Sequence, residues 1–131
     1  MITRERTSSG GPFEERFGYC RAVRVGNQIH VSGTAAVEPD GRVTPGGVGA
    51  QTARCLTIIG DALAVLGGSL ADVVRVRIYI TDIGQYEATG EHLRAAFGDH
   101  PPAATMVEVS GLIDPEMLVE IEVDAVIAEA D

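Results

Sequence analysis

An α+β fold, with a mixed sheet covered by two helices on one face, is predicted from three observations. Val73–Thr81 and Leu118–Ile127 alternate apolar and polar residues with the two-residue period of a half-buried strand. Two other stretches, one beginning near Ala50 and one after Asp82, repeat apolar residues at the spacing of a helix. A Gly26-Asn27 hairpin implies an antiparallel pair, whereas the strand–helix–strand order from Val73 to Ser110 implies a parallel crossover.

Residues 1–12, rich in Ser, Thr and Gly, read as a loose arm. Tyr19–Val25 and Gln28–Gly33 form the hairpin, with Gly26-Asn27 supplying the positive φ of its tight turn. Pro39, Pro45 and several glycines make Val37–Gly49 a loop. In the first helix Leu56, Ile59, Leu63 and Leu66 share a face beside Cys55, Ile58 and Ala62, and Gly67-Gly68 ends it. Ser69–Asp72 matches a capping box for one short turn.

Val74, Val76, Ile78 and Ile80 take one face of the next strand, and Arg75, Arg77 and Tyr79 the other. Asp82 caps a second helix whose Tyr86, Leu93 and Phe97 align, and Pro101-Pro102 stops it before a strand at Ala104–Ser110. In the last strand Val119, Ile121, Val123 and Ala125 oppose Glu120, Glu122 and Asp124. About five strands and two helices leave one sheet face uncovered, carrying Arg75, Arg77, Tyr79 and the three acids. The expected core is Leu56, Ile59, Leu63, Val76, Ile78, Leu93, Ile121 and Val123.

The 131 residues fit a single domain, 1–131, whose core is built from Val, Ile, Leu and Ala, since aromatics make up only 5% and Trp is absent. No apolar run reaches the ~20 residues of a membrane span, and the N-terminus lacks the apolar stretch of a signal peptide. Cys20 and Cys55 are too few for a disulfide framework, so free thiols and a cytoplasmic location are expected. The net charge of -9, with ten Arg and no Lys, disfavours nucleic-acid partners. Gly46–Gly49 before a helix lacks the Gly-Lys-Ser/Thr ending of a phosphate loop. His30, His92 and His100 lack ligand spacing, so no metal is expected, and no cofactor.

Several stretches, in order, resemble the Rid family, also called YjgF or L-PSP. They are Gly18-Tyr19 before Arg21–Gly26, Ile29–Gly33, Ala50-Gln51-Thr52, Ser69–Val74, Tyr79–Asp82, Pro102-Ala103 before Val107-Glu108-Val109, and Val119–Glu122. The resemblance spans residues 17–127. It implies a chorismate-mutase-like fold, a homotrimer with a central β-barrel, and small-molecule clefts between subunits. It also implies cofactor-free hydrolysis of reactive imines and enamines to ketones and ammonia.

Carried over residue by residue, the cleft tyrosine falls on Tyr19, the Ser-Gly pair on Ser32-Gly33 and the acidic residue on Glu120. The arginine that grips a substrate carboxylate falls on Ala104, next to Thr105, and the cleft cysteine on Met106. An asparagine of the second helix matches Gly90. A methyl group cannot make a guanidinium's bidentate contact, so the substrate is expected to differ from a simple α-imino acid.

Imine hydrolysis needs a polarised C=N, a placed water and a proton shuttle. Glu120 would serve the water, and Ser32 with nearby backbone the nitrogen. Read without the resemblance, Glu120 is a charge on an open sheet face, paired with Arg75 or Arg77. Tyr19 is equally a hairpin aromatic packed on the sheet. Arg77 would either grip a carboxylate from another direction or bridge to Glu122 or Asp124. Cys20 points away from Tyr19 and has no His following as a base, which argues against a thiol nucleophile. Three functions therefore stand side by side: an imine or enamine deaminase with an atypical substrate, a binding trimer without turnover, and the ribonuclease of the L-PSP name, which the acidic surface opposes.

Overall fold

The computed structural model describes residues 2–128. Its strands are β1 (Arg4–Thr7), β2 (Ala22–Val25), β3 (Gln28–Ala35), β4 (Val73–Ile80), β5 (Ala103–Glu108) and β6 (Val119–Val126). They form one mixed sheet in the order β1-β2-β3-β6-β4-β5, with β4 and β5 parallel and the other pairs antiparallel. The helices are α1 (Pro12–Phe17), α2 (Gly47–Val65) and α3 (Tyr86–Phe97). Among the described residues no helix is long and apolar enough to cross a membrane.

The core lies between α2 and one face of the sheet. Cys55, Leu56, Ile59, Ala62 and Leu63 of α2 are buried against Ile29, Val31, Val76, Ile78, Ile121 and Val123. Full burial of each large aliphatic side chain contributes about 1.5–3 kcal/mol. The expected core residues are all in this cluster except Leu93, which packs on it half-buried. Thr89, fully buried on α3, meets Thr52 of α2 through a hydroxyl pair at 3.1 Å, so a polar contact joins the helices.

Five expectations are corrected. The loose arm contains β1, whose backbone pairs with β2 from Arg4↔Val25 to Thr7↔Ala22, followed by α1 from Pro12. A proline at the first helical position starts such a helix at no hydrogen-bond cost. The strand expected from Tyr19 begins only at Ala22, because α1 occupies the chain to Phe17 and Gly18, at φ 78°, closes it. In the hairpin turn Gly26 alone takes positive φ, 61°, and Asn27 does not. Finally, the register slips between Val73 and Arg75, so Val73 is buried and Val74 is exposed. A bulge of this kind reverses the side of one residue without disturbing those beyond it. Tyr86, expected on the buried face of α3, is likewise exposed.

The uncovered face holds a ladder of polar pairs. Arg77 donates to Asp124 Oδ2 at 3.0 Å, His30 Nδ1 meets Asp124 Oδ1 at 2.7 Å, Tyr79 donates to Glu122, and Arg75 donates to Thr105 at 2.7 Å. Burial opposes ionisation of Asp124, but its bonds to His30 and Arg77 outweigh that and hold its carboxyl below the usual range. The Asp124 bond correspondingly raises Arg77, and the bond to Glu122 raises the Tyr79 phenol.

Candidate active site

Glu120 stands at the start of β6, between Ala35 of β3 and Tyr79 of β4. Its position is fixed from α2. Gln51, buried there, donates its side-chain amide to Thr44 O and Glu116 O, and its Oε1 accepts from Leu118 N at 2.8 Å. One side chain thus ties the loop before β6 to the helix, which gives a physical role to the Ala50-Gln51-Thr52 stretch.

The Glu120 carboxyl lies on Gly33. A Cβ built at Gly33 would come within 2.7 Å of Glu120 Oε2 and 3.0 Å of its carboxyl carbon, so the glycine leaves room for the acid. The β3–β6 register shifts between Val31 and Thr34 at this point. Among the described residues the Glu120 carboxyl has no side-chain hydrogen bond or ion pair; Arg75 and Arg77 are engaged elsewhere, as above. Burial pushes its pKa up, with Arg21 pulling it down and Glu122 adding to the rise. A half-buried carboxylate of raised pKa with no side-chain partner can accept a proton.

A cavity of about 440 Å³ opens in front of it, lined also by Tyr19, Arg21, Gly33, Arg54 and Met117. Arg21 is buried and saturated on one side: it donates to Gly33 O at 2.7 Å and Thr34 Oγ1 at 3.0 Å, and pairs with buried Glu14 at 3.4 Å. Its Nε is buried without a partner among the described residues. Glu14 also accepts from Ser8 and from the hydroxyl and backbone of Ser9. Burial opposes this charge, but the Ser9 and Ser8 donors and Arg21 outweigh it and hold Glu14 below the usual carboxylate range. The Arg21 guanidinium in turn lies 5.8 Å from the centre of the Tyr19 ring, whose outer side remains exposed. Arg54 donates to Val37 O at 2.9 Å and pairs with Glu38 at 3.5 Å.

The residues singled out in the sequence therefore separate into groups. Glu120, Gly33 and Tyr19 share the cavity. Ser32 is adjacent, but its hydroxyl donates to Cys20 O at 2.7 Å. Arg77 is two residues away along β4 and bridges Asp124. Ala104, Thr105 and Met106 lie on β5, beyond β4 at the sheet edge. Ala104 there lines a separate apolar hollow of about 250 Å³ with Val76, Leu93, Phe97 and Arg94. Both thiols are free, and burial, reinforced by the charge of Glu120, pushes Cys55 up to about 12, where it is inert.

This arrangement can be set beside known proteins. The family model for Endoribonuclease L-PSP matches residues 13–127. The chain belongs to this family, the Rid or YjgF group. The crystal structure of Rv2704 from Mycobacterium tuberculosis, described as a member of the YjgF/YER057c/UK114 family, superposes with a TM-score of 0.88 at 45% identity, covering 95% of this chain and 100% of that one. A RutC family protein of Pyrococcus abyssi is 36% identical over 79% of this chain and 82% of its own length. The goat protein named 2-iminobutanoate/2-iminopropanoate deaminase is 32% identical over 72% of this chain and 69% of its own. The mixed α+β fold predicted from sequence is that of the family. Arg21 and Gln51 stood in stretches that carried the resemblance but were given no part in the site, and Glu14, which lines the cavity with Arg21, was not singled out in the sequence. A basic residue two positions after Tyr19 was visible, but its acidic partner lies in a helix too short to show periodicity.

Proposed function

We propose that the chain hydrolyses a reactive imine or enamine to a carbonyl compound and ammonia, with Glu120 as the proton-handling group. The observation that carries this reading is the unpartnered Glu120 carboxyl, seated on Gly33 and opening into the cavity. The deaminase named among the relatives gives the reaction class.

In the chemistry proposed, Glu120 accepts a proton from water as the oxygen bonds to the carbon of the protonated imine, forming a carbinolamine. Protonated Glu120 then returns that proton to nitrogen and, as the C–N bond breaks and ammonia leaves, takes up the hydroxyl proton so that the carbonyl forms. The raised pKa suits both halves, since the same group must take and give a proton. Tyr19, lying over Arg21 with its outer side exposed, would close on the substrate, and backbone at Ser32-Gly33 would orient the nitrogen.

We further place the reaction in clefts of a homotrimer. Two features support this. Every residue of the β5 edge is exposed or half-buried, Val107 among the exposed apolar ones, an edge that natural sheets cover or pair. The substrate-binding positions implied by the resemblance fall on Glu120's side of the sheet and on the β5 edge, which a second copy would bring together. The unpaired thiols suit a cytoplasmic location. Phosphodiester cleavage fits poorly, because a net charge of -9 repels a polyanion.

The test is to generate imines in situ with amino-acid and amine oxidases and follow ammonia release. Acceleration that grows with protein concentration supports the proposal. Release at the buffer rate for every imine would leave a binding module.

A further inference from the structure

The geometry points to a cationic substrate that carries no carboxylate: the protonated imine formed by oxidation of an amine rather than of an amino acid. The inference rests on the hydrolytic reading above and names the substrate class of the same cavity.

The cavity's charges decide it. Glu14, Glu38, Asp114 and Glu120 face it, against Arg21 and Arg54. Each guanidinium already faces a carboxylate of its own. Arg21 is held by Glu14, Gly33 O and Thr34, and Arg54 by Glu38 and Val37 O. A substrate carboxylate drawn to Arg21 would compete with the buried Glu14 for its cation, and one drawn to Arg54 would compete with Glu38. Glu120, by contrast, has no cation of its own, and Asp114 only accepts from Glu116 N at 2.8 Å. The charge left over in the cavity is negative, and it is nearest the carboxyl that would do the chemistry.

A planar iminium fits that vacancy. Its N–H donors match Glu120's free oxygens, and its positive charge is the form that water attacks. The step balances as R₂C=NH₂⁺ + H₂O → R₂C=O + NH₄⁺: a C–O bond forms, the C–N bond breaks, and the nitrogen keeps the electron pair. The raised pKa of Glu120 fits a site waiting for a positive partner, since a bound cation would favour its ionised form.

The second cavity agrees. Ala104 lies in an apolar hollow with Val76, Leu93 and Phe97, a surface suited to a hydrocarbon substituent. Arg94 also lines it, the one cation there among the described residues. If a neighbouring copy brought this edge to Glu120, Arg94 would be the rival candidate for a carboxylate grip.

The probes are acetamidine, a stable planar cation with an iminium-like C=N, and 2-oxobutyrate, the keto acid of an α-imino acid. Binding to the intact protein is measured by calorimetry at pH 8. The inference expects acetamidine to bind at least about tenfold more tightly than 2-oxobutyrate, and Glu120→Gln to weaken acetamidine by a further factor of about ten or more. Tighter binding of 2-oxobutyrate, or acetamidine binding that Glu120→Gln leaves unchanged, overturns it. So does 2-oxobutyrate binding that Arg94→Ala abolishes, which would give the grip to α3. The outcome separates from that of the hydrolytic reading. Acetamidine held by Glu120 with no imine turned over would uphold the ligand class and remove the reaction. Fast turnover of 2-iminobutyrate, uninhibited by acetamidine, would uphold the reaction and remove the ligand class.

Discussion

Replacing Gly33 with alanine should separate activity from stability. Gly33 does not use left-handed backbone, so the substitution brings no φ strain. Its effect is steric. The new methyl would meet Glu120 Oε2 at 2.7 Å, whereas ordinary contact begins near 3.4 Å, so the carboxyl must retreat by about 0.7 Å. That movement is easy for the fold: an off-rotamer side chain costs about 0.5–1.5 kcal/mol, and Gly→Ala returns roughly 0.4–1 kcal/mol through the unfolded chain. It is not easy for the chemistry, because a misplacement near 1 Å can lower a rate by ~100-fold. The expected result is an unfolding free energy within about 1 kcal/mol of the parent, with kcat/KM reduced roughly 30- to 100-fold, or about 2–2.7 kcal/mol. Urea unfolding and ammonia release, with whichever imine the parent turns over fastest, give the two numbers. Parental activity in the folded variant would refute the role of the Gly33 seat. A loss of several kcal/mol in stability would show that the glycine serves the fold instead.

Three further outcomes follow from the packing and the charges. Leu63, fully buried under the sheet, should cost about 2–5 kcal/mol when changed to alanine, read as a lower urea midpoint. Glu14→Gln should lower stability by about 1.5–3 kcal/mol at pH 7 through its lost charge-assisted bonds. Because the folded pKa of Glu14 lies below its ordinary 4.5, that contribution is present above pH 4.5 and is lost as pH falls through the folded value; a deficit equal at pH 7 and pH 3 would contradict it. Sedimentation at micromolar concentration should give a trimer, and a stable monomer would leave the β5 edge unexplained.

What the sequence disclosed was what local pattern can carry. The alternation of β6 put Glu120, Glu122 and Asp124 on one face, where the structure has them, and the spacing in α2 placed Leu63 in the core. Gly26 announced its turn. Pattern failed where one residue changes the count. The bulge at Val73 and Arg75 leaves no mark in an apolar pair such as Val73-Val74. Helix α1, six residues long, is below the length at which periodicity speaks, and a segment of Ser and Gly before it read as unordered. The Glu14–Arg21 pair joins that helix to the residue just before β2, so the floor of the cavity was invisible. Alternation left Arg77 a choice of Glu122 or Asp124; register sets it opposite Glu122, and its salt bridge runs diagonally to Asp124, a choice made by side-chain reach.

The central claim is that Glu120 moves the proton, and Glu120→Gln tests it most directly, since the amide keeps the shape and removes the base. The account predicts ammonia release slowed about 100-fold or more, at the lower end of what general base catalysis contributes, in a variant no less stable than the parent above neutral pH. The stability half follows from the sign of the shift: a carboxyl whose folded pKa is raised disfavours the fold once ionised, and glutamine removes that charge. An unchanged rate in the folded variant would contradict the account and leave the carboxyl a bystander on an open sheet face.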